Sequence, residues 1–467
     1  MENRLKVYIG IDNPELRPEV GYLCRLLGSI LQVEFLLKTP DQSMHSGFPT
    51  IFYGAKKNTE ERAGAFVRIQ PDDICWNFYL QKNAIRNEVI TNLFARLQEP
   101  ETWSYEKRAV EADLFFGIIF LITRYEEIFS EGHRDRHGRF PWANDSRQGL
   151  GITSPVINIW IRKLADLLAA VFNQKVEFRQ NRPIAVISHD IDIPFYYKKF
   201  FNEASMKFKS ILGRKNGYTP GRFGNAVRTC LGLCDDPYDT FSYFNHQEST
   251  RQIRSTYFLL MSRENRWGLD LSKYSKRLRM LRDEGHELAL HPGYEGFNNA
   301  LLTQVERDKV RDLTGVEPVG TRSHFLRFDF IGSYRIRQEA GFLYDSTLGY
   351  AEQEGFRCGV CTPFKPFDPV TRKEIDIWEI PMTLMDGTLA DYQKLTPEQG
   401  ENKIRRLIEN VQSLNGVIVF NWHNSFFANG TGPWKQVYEN SLDLLQASGF
   451  EFLTCNEVAC RWSSQWE

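Results

Sequence analysis

Apolar positions along this 467-residue chain follow two rhythms. Up to about residue 178, short apolar runs such as Val7-Tyr-Ile-Gly-Ile and Thr50-Ile-Phe-Tyr-Gly alternate with polar loops. Longer helical patterns occupy 115–128 and 155–172, and a helix-like stretch, 105–113, precedes the first. From Lys175 the rhythm changes. Strand-like runs at 184–188, 255–260, 287–290, 318–322, 342–345, 378–381, 417–421 and 451–453 alternate with amphipathic helical runs at 271–282, 303–314, 331–340, 397–413 and 434–447. Strands and helices taking turns at this spacing predict an α/β fold built on a parallel sheet, here a distorted (β/α) barrel. The expected organisation is an α+β domain over 1–178 and a barrel over 179–467, with an insertion at 194–250. That insertion is longer than a βα loop needs to be and is basic in its first half, which suits a segment bordering a site.

Composition narrows the class. Apolar residues make up 42% of the chain, enough for two cores, and the formal net charge is -1, so no overall field attracts nucleic acid. The eight cysteines include one CxxC spacing, Cys358 to Cys361, with no second pair to complete a zinc knuckle. Reduced thiols, an N-terminus without a basic-then-apolar leader, and apolar runs too short to span a bilayer predict a soluble, cytoplasmic protein with no transmembrane segment. The oligomeric state has no signature in the sequence. His133 and His137 stand at i, i+4, but Gly132 and Gly138 argue for a loop there rather than a metal-binding helix.

Candidate chemistry gathers at predicted strand ends. Ile184-Ala-Val-Ile-Ser-His-Asp-Ile-Asp192 is a buried strand that runs into His189, Asp190 and Asp192, and residues two apart on a strand share a face. Two neighbouring carboxylates need a cation between them or a shared proton. Gly285-His-Glu-Leu-Ala-Leu-His291 delivers His291 to a second strand end, with Glu295 four residues on. Gly320-Thr-Arg322-Ser-His324 delivers Arg322, a suitable partner for a carboxylate, and His324. Val417-Ile-Val-Phe-Asn-Trp-His423 delivers His423, an imidazole suited to acid catalysis.

These four segments, in this order, resemble the polysaccharide deacetylase family, the family-four carbohydrate esterases, over about residues 182–460. The stretch before them is similar to an uncharacterised domain that precedes such enzymes in some bacterial chains. The resemblance implies Asp190 as general base, Asp192 and His291 as ligands of a divalent metal ion, Arg322 as the residue orienting the base, and His423 as general acid. Where the family carries a second metal-binding histidine after His291, this chain has Glu295, so Glu295 or His324 supplies the third ligand. Zinc is the first expectation for the ion, with cobalt, nickel or iron as alternatives. The N–H after Arg322 is expected to help stabilise an oxyanion, and Trp422, Tyr350 and Phe325 are placed near the substrate rim.

The implied activity is removal of acetyl groups from an N-acetylated sugar or glycan by metal-assisted hydrolysis. Two other readings compete. Glu295 in place of histidine suits a catalytically degenerate glycan-binding or scaffold protein, and the barrel itself suits a C–N hydrolase acting on a small amide.

Overall fold

The computed structural model describes residues 5–38, 49–54, 65–129, 132–193, 195–197, 207, 222–262, 271–427 and 432–466. Much of the predicted insertion, including most of its basic first half, lies outside them.

The first sheet is built from β1 (Leu5–Ile11), β2 (Val33–Lys38), β3 (Thr50–Tyr53), β4 (Phe66–Ile69), β5 (Trp103–Ser104) and β6 (Ala109–Val110), in the order β2-β1-β3-β4-β6-β5. It is parallel except at the β5/β6 edge. That edge corrects one expectation. Residues 105–113 are not helical: Trp103 faces Val110 across an antiparallel pair, and Arg108, at φ 52°, has a backbone that no right-handed helix accepts. The helix Leu114–Ile122 follows, with all nine residues buried and with Asp113 capping it by accepting from the Phe116 N–H at 2.8 Å.

The second sheet takes β7 (Ile184–Ile191), β8 (Thr256–Leu260), β9 (Glu287–His291), β10 (Gly320–Thr321) and β11 (Tyr344–Asp345) from the expected succession. A hairpin, β12 (Phe367–Asp368) with β13 (Lys373–Glu374), is followed by β14 (Trp378–Glu379), β15 (Leu384–Met385), β16 (Val417–Asn421) and β17 (Glu451–Phe452). The order is β14-β11-β10-β9-β8-β7-β16-β15, with β17 on the start of β7, and every pairing is parallel. The two edge strands, β14 and β15, are joined by only Ile380–Thr383, a link that spans about 18 Å at full stretch. The sheet must therefore curl until its edges almost meet, which makes the distorted barrel. Its strand carboxyl ends converge on one mouth.

The two sheets are packed together. One apolar cluster contains Val7, Leu23 and Leu121 from the first part as well as Leu290, Phe364 and Ile377 from the second. Beside it lies a buried ionic network. Arg124 reaches Glu127, Glu126 and Asp145, and its Nη1 donates to the Arg357 carbonyl at 2.7 Å. Arg357 in turn holds Glu127 through two bonds of 3.0 and 2.7 Å. Three arginines, Arg124, Arg147 and Arg357, offset three acids, Glu126, Glu127 and Asp145, all of them buried.

Candidate metal centre and its cavity

Alternation along β7 sorts its polar residues. His189 points outward, where its Nε2 meets Glu248 Oε1 at 2.6 Å and its Nδ1 donates to the Trp422 carbonyl at 3.0 Å. Asp190 points into the barrel. Its Oδ1 accepts from Arg322 Nη1 at 3.0 Å and its Oδ2 from Asn421 Nδ2 at 2.8 Å. Arg322 is fully buried over the Phe258 ring and is itself fixed by Ser188 Oγ, the Ser346 carbonyl and Ser346 Oγ. The strand-end arginine thus meets the carboxylate that the sequence suggested for it.

Asp192, His291 and His324 form a cluster whose candidate ligand atoms lie within 4.8 Å of one another. Asp192 Oδ1 is 3.0 Å from His291 Nε2, and its Oδ2 is 3.5 Å from His324 Nε2. The His291 Nδ1 lies 2.6 Å from the Arg322 carbonyl, which can only accept, so Nδ1 carries hydrogen and Nε2 faces the cluster. Nε2 is thus the ring atom that can offer a lone pair to a cation, in place of the proton it otherwise shares with Asp192. The residues present therefore fit a divalent ion.

His423 comes from the end of β16. Its Nε2 lies 3.9 Å from Asp190 Oδ2 and 3.7 Å from Asp192 Oδ2. Its Nδ1 is 2.6 Å from Asp386 Oδ1, and its backbone N–H donates to Asp386 Oδ2 at 2.7 Å. Asp386 follows β15 and was not singled out in the sequence.

Charge in this site is strongly biased. Burial alone would raise the Asp190 carboxyl, but Arg322, His291 and His423 hold it below the ordinary range. The same contest leaves Asp192 well below it, held by His324 and His291. Burial would lower both imidazoles. Asp190 and Asp192 instead raise His291, and Asp386, with Asp192 and Asp190, lifts His423 to about 10.

Above the cluster opens a cavity of about 840 Å³, with Asp190, Asp192, His291, His324 and His423 in its lining. Phe325, 43% exposed, lines it together with Tyr392 and Phe426. Arg136 and Arg139, from the first part of the chain, also line it.

Four expected roles do not match the positions found. Trp422 is fully buried against Phe427 and Tyr438, and Tyr350 is buried with its hydroxyl on Asp145 at 2.7 Å, so neither lines the cavity. Glu295 turns outward to Arg327 Nη1 at 3.4 Å, and its side chain is 52% exposed. The chain leaves β9 through Pro292 and Gly293, where an added Cβ would stand 2.4 Å from Ser262, and this turn carries Glu295 away from His291. The Ser323 N–H, expected at an oxyanion, donates to Thr347 Oγ1 at 3.0 Å. His133 and His137 lie in a loop, as Gly132 and Gly138 suggested, and all eight cysteines are free.

Residues 9–173 match the model of a family of unknown function, DUF7033. No curated protein matches the chain. Among solved structures it is similar to a candidate polysaccharide deacetylase from Mycobacterium smegmatis, at 15% identity over 62% of this chain and 92% of that one, with a TM-score of 0.42. It is also similar to Puue allantoinase, at 12% identity over 61% and 91%, TM-score 0.41. A third is a CE4 family pseudoenzyme from Bacillus anthracis, at 9% identity over 60% and 66%, TM-score 0.32. Likeness this loose bears on no activity.

Proposed function

We propose that the protein is a metal-dependent hydrolase that removes acetyl groups from an N-acetylated sugar or glycan. One observation carries this reading: a carboxylate–imidazole cluster, a carboxylate fixed by an arginine, and an imidazole fixed by its own acid share the floor of one cavity. Three protein ligands with an open side suit hydrolytic zinc, and two imidazoles with one carboxylate suit zinc, cobalt, nickel or iron better than magnesium. When bound by Asp192, His291 and His324, such an ion supplies Lewis acidity toward an amide carbonyl and toward water.

The chain's own residues do the rest. Asp190, ionised and aimed by Arg322 and Asn421, takes a proton from the attacking water. His423, kept protonated by Asp386, passes its Nε2 proton to the departing amine nitrogen. The amide C–N bond breaks, and acetate and a free amine leave. Phe325, Tyr392 and Phe426 offer the aromatic faces that sugars pack against.

The test is metal content together with acetate release from N-acetylglucosamine oligomers by purified protein. About one ion per chain with acetate released supports the reading. An ion bound without acetate released from these oligomers, or from small N-acetylated sugars, would sink the deacetylase assignment.

A further inference from the structure

The turn that carries His324 is strained, and part of what holds it comes from outside the barrel. Phe325 and Leu326 have φ of 59° and 53°, two consecutive left-handed residues without a glycine. On the barrel side, Leu326 packs with Ala351, Met382 and Met385. On the other side stands the loop 132–140. Arg139, only 7% exposed, donates from Nη1 to the Phe325 carbonyl at 2.7 Å. The His137 ring stacks on the Phe325 ring at 4.8 Å and 20°, and the His137 carbonyl accepts from Arg327 Nε at 3.2 Å.

The loop is itself tied. Asp135 accepts from the Arg139 Nε and from the backbone N–H groups of His137 and Arg139, at 2.7, 2.8 and 2.9 Å. Arg139 is therefore a fixed strut and not a wandering surface cation. The loop also lies inside residues 9–173, the stretch matched by a family of unknown function.

We propose that this loop completes the metal centre: Arg139 and His137 are positioning residues that hold the Phe325–Leu326 turn and thereby fix His324 against Asp192 and His291. The proposal rests on His324 being a ligand. It gives the N-terminal stretch a task, which is to build one wall of the barrel's site. Residues around a metal that hold its ligands typically matter by roughly 10- to 100-fold in affinity.

The experiment is zinc affinity by chelator competition on the full chain, for wild type, Arg139→Gln, His137→Ala, His324→Ala and the doubles with His324→Ala. The visible absorption of the cobalt-loaded protein is recorded in parallel. Arg139→Gln should weaken zinc by about 10-fold or more and alter the cobalt spectrum, with Arg139→Lys restoring part of the loss. His137→Ala, at the open rim, should act in the same direction and supplies the test if Arg139→Gln does not fold. Neither substitution should weaken zinc further once His324 is alanine, because the effect passes through that imidazole. If His324→Ala weakens zinc and neither loop variant does, or if the loop variants act equally in both backgrounds, the inference is wrong while the metal reading stands. If wild type binds no ion, or His324→Ala changes nothing, both fail.

Discussion

Asp113 and Asp190 are both buried acids beside parallel strands, yet they are built in opposite ways. Asp113 accepts from the Tyr53 hydroxyl, the Trp76 indole and the backbone N–H groups of Asp72 and Phe116, all within 2.9 Å. Burial pushes its carboxyl up to about 7, although every one of those donors pulls the other way. Asp190 has a guanidinium, one amide and two imidazoles around it, and it looks into a cavity. A carboxylate ringed by neutral donors ties elements together. A carboxylate held by a cation, with lone-pair room left toward a cavity, is available for proton transfer. Satisfaction by donors, more than depth, separates the two.

The sharpest way to break this contrast is substitution. Asp190→Asn should cut turnover by about 10²- to 10⁴-fold while metal stays bound, whereas Asp192→Ala and His291→Ala should lose the metal. Metal content by elemental analysis, read beside acetate release, decides it; equal metal in all three variants refutes the division of roles. Asp113→Asn should instead leave turnover per folded molecule unchanged and cost about 1–3 kcal/mol of stability, since an amide nitrogen would face N–H donors.

Next in size is the ionic network between the sheets. Arg357→Ala leaves Glu127 with Arg124 as its remaining arginine and the buried network one positive charge short, and should cost about 3–5 kcal/mol in chemical denaturation. A loss under 1 kcal/mol would mean that water reaches the network. For the same reason, we propose that cleavage in the polar stretch 174–182 leaves two pieces, the domains expected at 1–178 and 179–467, that co-elute. Separation on a sizing column would show that each stands alone.

Smaller effects test the site's edges. His324→Ala should weaken metal binding at least about tenfold and Glu295→Ala hardly at all; the reverse result would make Glu295 the ligand. Asp386→Asn removes the carboxylate that raises His423 most, so the imidazole loses its proton at lower pH. The alkaline limb of the rate profile should then move to lower pH, and an unmoved limb argues against His423 as the acid. Smallest is a titration effect at Asp113. Its folded value, about 7, lies above the ordinary 3.8, so its contribution to stability is lost as pH rises between these values and is level above. Wild type measured against Asp113→Asn should show that slope, and a flat difference would mean that the donors win.

Much of the barrel was legible because its longer strands carry their own pattern. Strand β16 occupies the predicted 417–421, and β7 starts at the predicted Ile184 but runs on to Ile191. Asp386 was not legible, because β15 has two residues and two residues show no alternation. Trp422 and Tyr350 misled for a different reason. Adjacency to a strand-end histidine, or to a motif, says nothing about which face a side chain takes, and both went to the core. Spacing suggested Glu295, but spacing four apart brings side chains together only on a helix, and the chain after His291 turns instead. The bond from Arg139 to the Phe325 carbonyl could not be read at all, since the two residues lie 186 apart in the chain.

The parallel order of the barrel also sets a sequence in time. Asp190 sits on β7, but the groups that fix it, Arg322 and Asn421, lie 132 and 231 residues further along. During synthesis the first carboxylates of the site emerge long before their partners, and loops of that length close late in folding. A cation met at that stage would find loose acids rather than a seat. On the proposed metal reading, ion selection would fall to the finished fold, in which β16 lies between β7 and β15, and not to the nascent chain.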